Sequence, residues 1–428
     1  MPKDYIPRLF DKTLEFSLKS KGAVLVIGPK WCGKSTTSAR QAKTIIDLTI
    51  EETKKQYIAL AKASPTIFLQ QGEKPLLIDE WQEISFIWNS IKDQVDKSGS
   101  FGQFILTGSV TDKKISKESD EKHTGTGRIV RKMMRPLSLY ESGESNGKVS
   151  ILDLKEGKFT PCFSDKTIED YAYYICRGGW PLAIGQEKDV ALQQSIDFYD
   201  AVVNEDLFSL KDIKLRKDVA KAKKLMRSYS RNIGSQCADS TIINDISSND
   251  DSFDTKTFDK YTLALERLYV IEELEAWNPN LRSKIAIREK NTRHFVDPSI
   301  AAAALGVGPE GLFSDMNTFG FLFESLAIRD LRIYCDTFGA SVYHFKDQTD
   351  READAVIQFR DGSWALIEVK LTDQEDIDKA AKKLIKISND IDEEKTGKPA
   401  FLMVITKGVA ALRREDGVYQ IPLACLKN

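Results

Sequence analysis

The segment VLVIGPKWCGKST, residues 24–36, constrains the fold of this chain more than any other feature. It contains an apolar run that ends in glycine, as a buried strand of a parallel sheet does. Residues 28–35 then fit the pattern G-x-x-x-x-G-K-[ST], and helical spacing follows. A strand, a glycine-rich loop and a helix in this order predict a P-loop, in which backbone N–H groups and the helix N-terminus bind phosphate. We therefore expect an α/β fold with a P-loop NTPase core.

The residue types in this loop suit the binding of ATP and Mg²⁺. Glycine at positions 28 and 33 lets the backbone curl around phosphate oxygens. Lys34 is predicted to bind the β- and γ-phosphates, and the hydroxyl of Ser35 is predicted to bind Mg²⁺. The predicted nucleotide-binding residues of the loop are Gly28, Pro29, Lys30, Trp31, Cys32, Gly33, Lys34, Ser35 and Thr36.

Two further apolar runs end in polar residues that suit ATP hydrolysis. The run KPLLIDEW ends in Asp79 and Glu80, and the run GQFILTGSV ends in Thr107 and Ser109. Asp79 is predicted to hold Mg²⁺, and Glu80 is predicted to orient and deprotonate the attacking water. Thr107 and Ser109 are candidates to sense the γ-phosphate. A helix cap or turn is the alternative for these two hydroxyls, and a strand end with solvated acids is the alternative for Asp79 and Glu80. We expect these residues and the P-loop to meet at the ends of adjoining β-strands.

The segment KISKESDEKHTGTGRIVRKMMR, residues 114–135, offers candidates for an arginine finger. Such an arginine stabilises charge on the transferring phosphoryl group. Arg128 is preferred over Arg131 and Arg135 because flexible glycines precede it, and a solvated basic loop is the alternative. If the finger acts on a neighbouring subunit, the ATPase is a homo-oligomer. A ring is the most natural arrangement, and a hexameric ring is one example.

Composition limits the remaining classes of function. The chain has 428 residues, enough for two to four domains at about 100–200 residues each. Its net charge of −2 means that any binding of nucleic acid depends on local patches. Six scattered cysteines without a CxxC pair and three isolated histidines argue against a disulfide framework or a zinc site. No apolar run approaches about 18 residues, so we expect a cytoplasmic protein that does not enter a membrane.

The middle of the chain reads as two helical modules. Residues 165–212 have helical spacing interrupted at GGWP, residues 178–181, which predicts a helical lid. Residues 213–306 contain a basic stretch, two helical segments and two strand-like runs around an Asn-Pro-Asn turn at residues 278–280. Helices followed by a β-hairpin are the order of a winged helix–turn–helix, which predicts DNA as a partner. The mixed charge of the last helix leaves a protein-interaction module as the alternative.

The C-terminal part carries acidic residues and a lysine in a nuclease-like order. Glu324 lies on an amphipathic helical segment, Asp354 begins a strand, and the next strand ends in Glu368 and Lys370. Asp354 and Glu368 are candidates to bind Mg²⁺, with Glu324 as a further ligand and Lys370 positioning the attacking water. A structural ion pair, and a nuclease-like fold that only binds, are the alternatives.

Several motifs in one order resemble a known family. The segments YIPRLFD, GPKWCGKST, LIDEWQ, ILTGSV, GRIVRKMMRPLSLYE, GGWP and READAVIQF…IEVK are similar to prokaryotic AAA+-type ATPases with a C-terminal DUF4143 domain. The C-terminal residues resemble the PD-(D/E)xK nuclease superfamily, except that Ala353 replaces the leading proline. The resemblance implies a core at residues 1–150 with an AAA+/RecA-like parallel sheet, a lid at 165–212, a winged helix–turn–helix at 213–306 and a nuclease-like domain at 310–428.

The resemblance also implies further site residues and a function. Ile6 and Arg8 are expected near the adenine, and Arg177 is expected to approach the phosphates as a sensor arginine. We expect an ATP-hydrolysing enzyme that remodels or translocates along DNA, including branched DNA, as an oligomer. Two alternatives remain: an ATP-dependent DNA nuclease that uses Asp354, Glu368 and Lys370, and a nucleotide-gated signalling switch that binds a protein.

Overall fold

The computed structural model describes residues 5–108, 127–210, 213, 215–248, 252–278, 290–347, 351–371, 374–391 and 393–428. The chain divides into two compact units, one made of residues 1–136 and 267–269 and the other of residues 137–266 and 270–428. The first unit therefore ends before residue 150, the predicted end of the core. The following segment belongs to the second unit, where Leu137 N donates to Gly179 O at 2.7 Å and Leu139 N to Asp330 Oδ2 at 3.0 Å.

The first unit contains a fully parallel sheet, as predicted. Its strands are β1 (Ala23–Ile27), β2 (Thr44–Asp47), β3 (Leu76–Asp79), β4 (Phe104–Gly108) and β5 (Ile129–Met133). Their order is β2-β3-β4-β1-β5, and every neighbouring pair is parallel. The expectation that the P-loop and the acids follow adjoining strands was wrong, because β4 lies between β1 and β3. The carboxyl ends of all three strands still meet at one edge of the sheet.

Helices cover both faces of this sheet. They are α1 (Leu9–Ser20), α2 (Lys34–Ala39), α3 (Glu51–Ala63), α4 (Pro65–Leu69) and α5 (Trp88–Ser98), with a 3₁₀ helix at Trp81–Ile87. Alternate residues of β1 point to opposite faces. Val24 and Val26 pack with Leu14 of α1, whereas Leu25 packs with Trp88 and Phe68 on the other face. Burial on both faces explains why the strands read as continuous apolar runs.

The second unit contains most of the helices of the chain in its described residues. They are α6 (Ile151–Lys155), α7 (Ile168–Arg177), α8 (Lys188–Ala201), α9 (Leu207–Ser209), α10 (Val219–Arg231), α11 (Asp239–Ser247), α12 (Thr255–Arg267), α13 (Pro298–Leu305), α14 (Pro309–Leu312) and α15 (Met316–Asp336), with a π-helix at Val202–Asp206. After α12, antiparallel bridges pair Ile271 with Phe295 and Leu274 with Thr292. Residues 279–289, which include most of the predicted turn, lie outside the described residues.

The rest of the second unit contains a seven-stranded mixed sheet. The strands and helices are β6 (Val149–Ser150), β7 (Cys162–Phe163), β8 (Ser341–Lys346), β9 (Glu352–Gln358), β10 (Trp364–Lys370), α16 (Gln374–Asp390), α17 (Glu393–Thr396), β11 (Phe401–Thr406), β12 (Ala410–Arg413), β13 (Tyr419–Pro422) and β14 (Leu426–Lys427), with a 3₁₀ helix at Leu423–Cys425. The large sheet has the order β7-β12-β13-β11-β10-β9-β8, and β6 pairs with β14 apart from it. α15 packs against β8, β9 and β10, and α16 packs against β10 and β11.

A buried polar network explains the GGWP motif of the predicted lid. Arg329 on α15 donates to Asp297 Oδ2 at 2.8 Å and to Asp330 Oδ1 at 2.7 Å, and all three residues are at most 3% exposed. Asp297 also accepts a hydrogen bond from Gly179 N at 3.0 Å. A Cβ atom at Gly179 would lie 2.2 Å from the carbonyl oxygen of Leu137. The backbone of Gly179 therefore contacts Asp297 and Leu137 of the second unit so closely that only glycine fits at this position.

Among the described residues, no helix is both long enough and apolar enough to cross a membrane.

Candidate functional site

The P-loop follows β1 and adopts backbone angles that select its residues. Gly28 has φ +148°, and a Cβ atom there would lie 2.1 Å from the carbonyl oxygen of Met134. Gly33, at the N-cap of α2, has φ +97°. Both positions therefore require glycine. Trp31 also has a positive φ of +64°, and its side chain is 42% exposed at the loop.

The predicted phosphate and metal residues lie together at this edge of the sheet. Lys34 Nζ donates to the carbonyl oxygens of Gly28 at 2.9 Å and Pro29 at 2.7 Å, so its ammonium lies inside the loop. Ser35 Oγ donates to Asp79 Oδ1 at 2.8 Å, and Thr107 Oγ1 donates to the same oxygen. The donor set of a hydroxyl and a carboxylate consists only of oxygen atoms, which is what Mg²⁺ prefers.

Glu80 lies directly after β3 in a conformation that is uncommon for glutamate. Its φ of +53° and ψ of +46° belong to the left-handed region, and strained backbone of this kind clusters at functional sites. Its carboxylate accepts a hydrogen bond from Gln82 Nε2, a neutral partner. Burial raises the pKa of Glu80, the Gln82 contact opposes this change, and the charge of Asp79 adds to it. A carboxylate with a raised pKa next to Asp79 is suited to accept a proton from an attacking water.

An N-terminal segment holds the P-loop from the side. Arg8 is 6% exposed, and its guanidinium donates to the carbonyl oxygens of Cys32 at 2.8 Å and Arg135 at 2.7 Å. The hydroxyl of Tyr5 lies 3.1 Å from Thr37 Oγ1 on α2. Arg8 therefore positions the loop backbone, a role that the resemblance did not indicate. Its predicted place near the adenine, together with that of half-buried Ile6, stays a prediction.

The arginine-finger candidates lie on and around β5. Arg128 forms an ion pair with Asp96 at 2.5 Å, and both side chains are more than 40% exposed. Arg131 is exposed on β5, and Arg135 supplies the carbonyl oxygen that binds Arg8. The finger stays a prediction. Ser109 lies outside the described residues.

Arg177, the sensor candidate, is buried in the second unit. It is 4% exposed, forms an ion pair with Glu144 and donates from Nε to the carbonyl oxygen of Gly178 at 3.0 Å. Its guanidinium is thus already paired with a carboxylate of its own unit, and its role as a phosphate sensor stays a prediction.

The four C-terminal candidates lie together around β9 and β10. Lys370 Nζ is 2.8 Å from Glu368 Oε1 and 3.6 Å from Asp354 Oδ2. Asp354 Oδ2 also accepts a hydrogen bond from Val369 N at 2.7 Å. Burial and the charge of Asp354 raise the pKa of Glu324 well above its usual value. The sequence therefore located a real side-chain cluster.

The cluster contains a second lysine that the sequence analysis missed. Lys383 on α16 binds Glu368 Oε1 at 2.6 Å, so that this 1% exposed carboxylate has two ammonium partners. Among the described residues, no three acidic, histidine or cysteine side chains are placed to share a metal ion. The side chains form an ion-pair cluster, one of the alternatives left open above, and the role of Asp354 and Glu368 as Mg²⁺ ligands stays a prediction.

Comparison with known proteins identifies the first unit. Residues 20–143 match the family model AAA_14, described as an AAA domain. Residues 168–311 match DUF8612 and residues 319–426 match DUF4143, both domains of unknown function. These matches confirm the resemblance to AAA-type ATPases with a C-terminal DUF4143 domain. The chain is an ATPase with a P-loop NTPase core.

Comparison with solved structures yields distant similarities. A Walker-type ATPase, PABY2304 of Pyrococcus abyssi, is 15% identical over 71% of this chain and 97% of its own, with a TM-score of 0.43. The ORC2 protein of Aeropyrum pernix, solved in ADPNP–ADP complexes, is 9% identical over 74% of this chain and 97% of its own, with a TM-score of 0.32. No curated protein matches this chain.

Proposed function

We propose that this ATPase couples ATP hydrolysis to work on DNA, by remodelling it or translocating along it, and that it does so as a homo-oligomer. The observation that carries the proposal is the order of elements around α10, α11 and α12. Three helices are followed by antiparallel bridges at Ile271–Phe295 and Leu274–Thr292, which is the order of a winged helix–turn–helix. Because the chain as a whole has a net charge of −2, DNA binding requires a local basic surface, and α10 supplies one.

The basic surface of α10 is formed by side chains that point to solvent. Lys223, Lys224 and Arg227 are exposed, and Arg227 donates to the carbonyl oxygen of Leu305 at 2.9 Å. The apolar side chains of the same helix, among them Leu225 and Met226, are fully buried. The helix thus presents its cations on one face, which supports contact with phosphates.

In the proposed reaction, the residues at the sheet edge have separate tasks. Lys34 binds the phosphates, Ser35 and Asp79 hold Mg²⁺, and Glu80 takes a proton from the attacking water. Bound Mg²⁺ would neutralise charge on the phosphate oxygens. Arg128 would complete the site of a neighbouring subunit in the oligomer, once it leaves Asp96.

Fluorescence anisotropy tests the DNA proposal. Full-length protein is titrated into labelled duplex, branched and single-stranded DNA at several salt concentrations. We expect binding whose logarithm falls linearly with the logarithm of the salt concentration. Absence of binding to every DNA form at low salt contradicts the proposal and favours the signalling switch with a protein partner.

Mass measurement tests the oligomer. We expect the mass of the full-length protein to be a multiple of the chain mass when ATP and Mg²⁺ are present. The Arg128→Ala variant should assemble equally but hydrolyse ATP at least about a hundredfold more slowly, as expected for loss of a finger arginine. A monomer whose turnover does not depend on protein concentration contradicts the proposal.

A further inference from the structure

A basic cleft opens between the start of α10 and the start of α12. It has a volume of about 620 Å³ and is lined by Leu215, Arg216, Lys217, Asp218, Lys221, Ser252, Thr257, Lys260 and Tyr261. Four of these side chains are cationic and one is acidic. The volume lies within the range of about 300–1,000 Å³ that is typical of ligand sites.

The acidic side chain of the cleft does not balance its cations. Asp218 caps α10, where its Oδ1 accepts a hydrogen bond from Lys221 N at 3.0 Å. In the described part of the chain, neither Arg216, Lys217 nor Lys260 has an ion-pair partner, and all three are exposed. The cleft therefore concentrates positive charge in a chain whose net charge is −2.

Two hydrogen bonds join the two sides of the cleft. Tyr261 is 2% exposed and donates its hydroxyl to the carbonyl oxygen of Asp218 at 3.3 Å. Lys221 Nζ donates to Ser252 Oγ at 2.6 Å and so joins the start of α10 to the segment before α12. These contacts fix the spacing between the two chain segments that carry the cations.

The chemistry of the cleft favours a polymer of phosphates. Exposed ammonium and guanidinium groups gain about 1 kcal/mol or less from one solvated anion, so a single phosphate would bind weakly. A nucleic acid backbone contacts several cations at once and releases counterions at each contact. The aromatic ring of Tyr261 is buried and cannot stack on a base, so the cleft offers its cations and not a stacking platform.

We propose that this cleft is the principal binding site for the DNA phosphate backbone, with Arg216, Lys217 and Lys260 contacting phosphates independently of sequence. The inference rests on the proposed function and adds to it the surface that binds DNA. It places the strongest contacts at the starts of α10 and α12, rather than along the exposed face of α10 or on the bases.

Matched double variants of the full-length protein test the cleft. Lys217→Gln/Lys260→Gln removes two cations from the cleft, and Lys382→Gln/Lys386→Gln removes two exposed cations of α16 that neither line it nor belong to the basic surface of α10. With a fluorescein-labelled duplex, the cleft variant should bind at least about tenfold more weakly than wild type. Its slope of log affinity against log salt should fall by about 2, because each lost contact removes about 0.9. The control should change less than twofold.

A second variant guards against misfolding. Arg216→Gln/Lys217→Gln changes only residues that precede α10, so it cannot interrupt a helix. It should weaken binding as the first variant does and unfold at the wild-type temperature. Equal losses in the cleft and control variants would overturn the cleft as the site while leaving DNA binding intact. Wild-type protein that binds no DNA would instead overturn the proposed function itself, and the cleft with it.

Discussion

Two regions of this molecule combine a glutamate at or just beyond a strand end with lysine and aspartate, yet the partners of the two glutamates differ. Glu80 is half-buried and Glu368 is buried. At the ATPase site, Glu80 is bonded by the neutral amide of Gln82, and Lys34 donates to backbone carbonyls. In the C-terminal cluster, Glu368 is bonded by the ammonium groups of Lys370 and Lys383. In the first region, the charged side chains of Glu80 and Lys34 are hydrogen-bonded to neutral groups. In the second region, the charged side chains form ion pairs with one another.

The difference shows how a reactive site is distinguished from an ionic core. A phosphate can replace carbonyl oxygens around Lys34 without leaving a carboxylate unpaired. An anion that approached Lys370 would have to compete with Glu368, which is 1% exposed and cannot turn to water. Removing one partner of such a buried pair is costly. We therefore expect changes at the first site to alter ATP turnover, and changes at the second to alter stability.

The largest expected effect is that of Lys34→Ala. This change removes the only charge inside the loop that is expected to meet the γ-phosphate, so both ATP binding and turnover should be lost. We expect kcat/KM for ATP to fall by more than about a thousandfold, beyond the loss of one electrostatic donor alone. The matched Lys19→Ala variant, on an exposed lysine of α1, should keep wild-type turnover. Comparable losses in the two variants would contradict the comparison.

Glu80→Gln should have the next largest effect and should separate binding from chemistry. The amide keeps the size of the side chain but cannot accept a proton. We expect kcat to fall by about a hundred- to a thousandfold, as for loss of a general base, while ATP still binds. Turnover is measured by phosphate release and binding by calorimetry. Wild-type turnover in this variant would exclude Glu80 as the base.

Glu368→Ala should act on stability instead. It leaves two lysines without their shared carboxylate, and each lysine is about one-third exposed, so water compensates in part. We expect the free energy of unfolding to fall by about 2 kcal/mol, less than for a fully buried pair. Denaturation by urea measures this change. Glu375→Ala, which breaks an exposed pair with Lys379 on α16, should cost less than about 0.5 kcal/mol. Equal effects would show that the cluster is not an ionic core.

The pH dependence of turnover should give the smallest effect. The base acts in its ionised form, and burial raises the pKa of Glu80. Turnover should therefore fall as the pH falls through a pKa above the ordinary value for glutamate. Because the Gln82 amide favours the ionised form, Gln82→Ala should raise that pKa further and move the acid limb to higher pH. An acid limb that stays in place would contradict the role of Gln82.

The first unit was largely predictable because its signals are local. The glycines, Lys34 and Ser35 lie within eight residues of one another, and their roles follow from backbone geometry next to one strand. The ends of parallel strands meet at one edge of the sheet, so Asp79 could be placed beside the loop. The order of the strands could not be predicted, because strand pairing depends on contacts between distant segments and no single segment carries a signal for it. The insertion of β4 between β1 and β3 was therefore missed.

Long-range contacts account for the missed role of Arg8 and for the missed residue Lys383. Arg8 reaches Cys32 and Arg135, which are 24 and 127 residues away along the chain. Lys383 reaches Glu368 only because α16 packs against β10 with one particular face. An E-x-K strand end is compatible with both a metal site and an ion pair, and the second lysine partner of Glu368 lies on the next helix. Sequence spacing alone could not reveal this contact.

The exposed position of Trp31 gives the ATPase an optical reporter of its own. All six tryptophans lie in the described part of the chain, and the other five are at most 5% exposed. An aqueous quencher such as iodide would therefore quench the fluorescence of Trp31 and leave the emission of the five buried tryptophans unchanged. A nucleotide that settles into the loop would shield it, and occupancy could be followed in unlabelled protein.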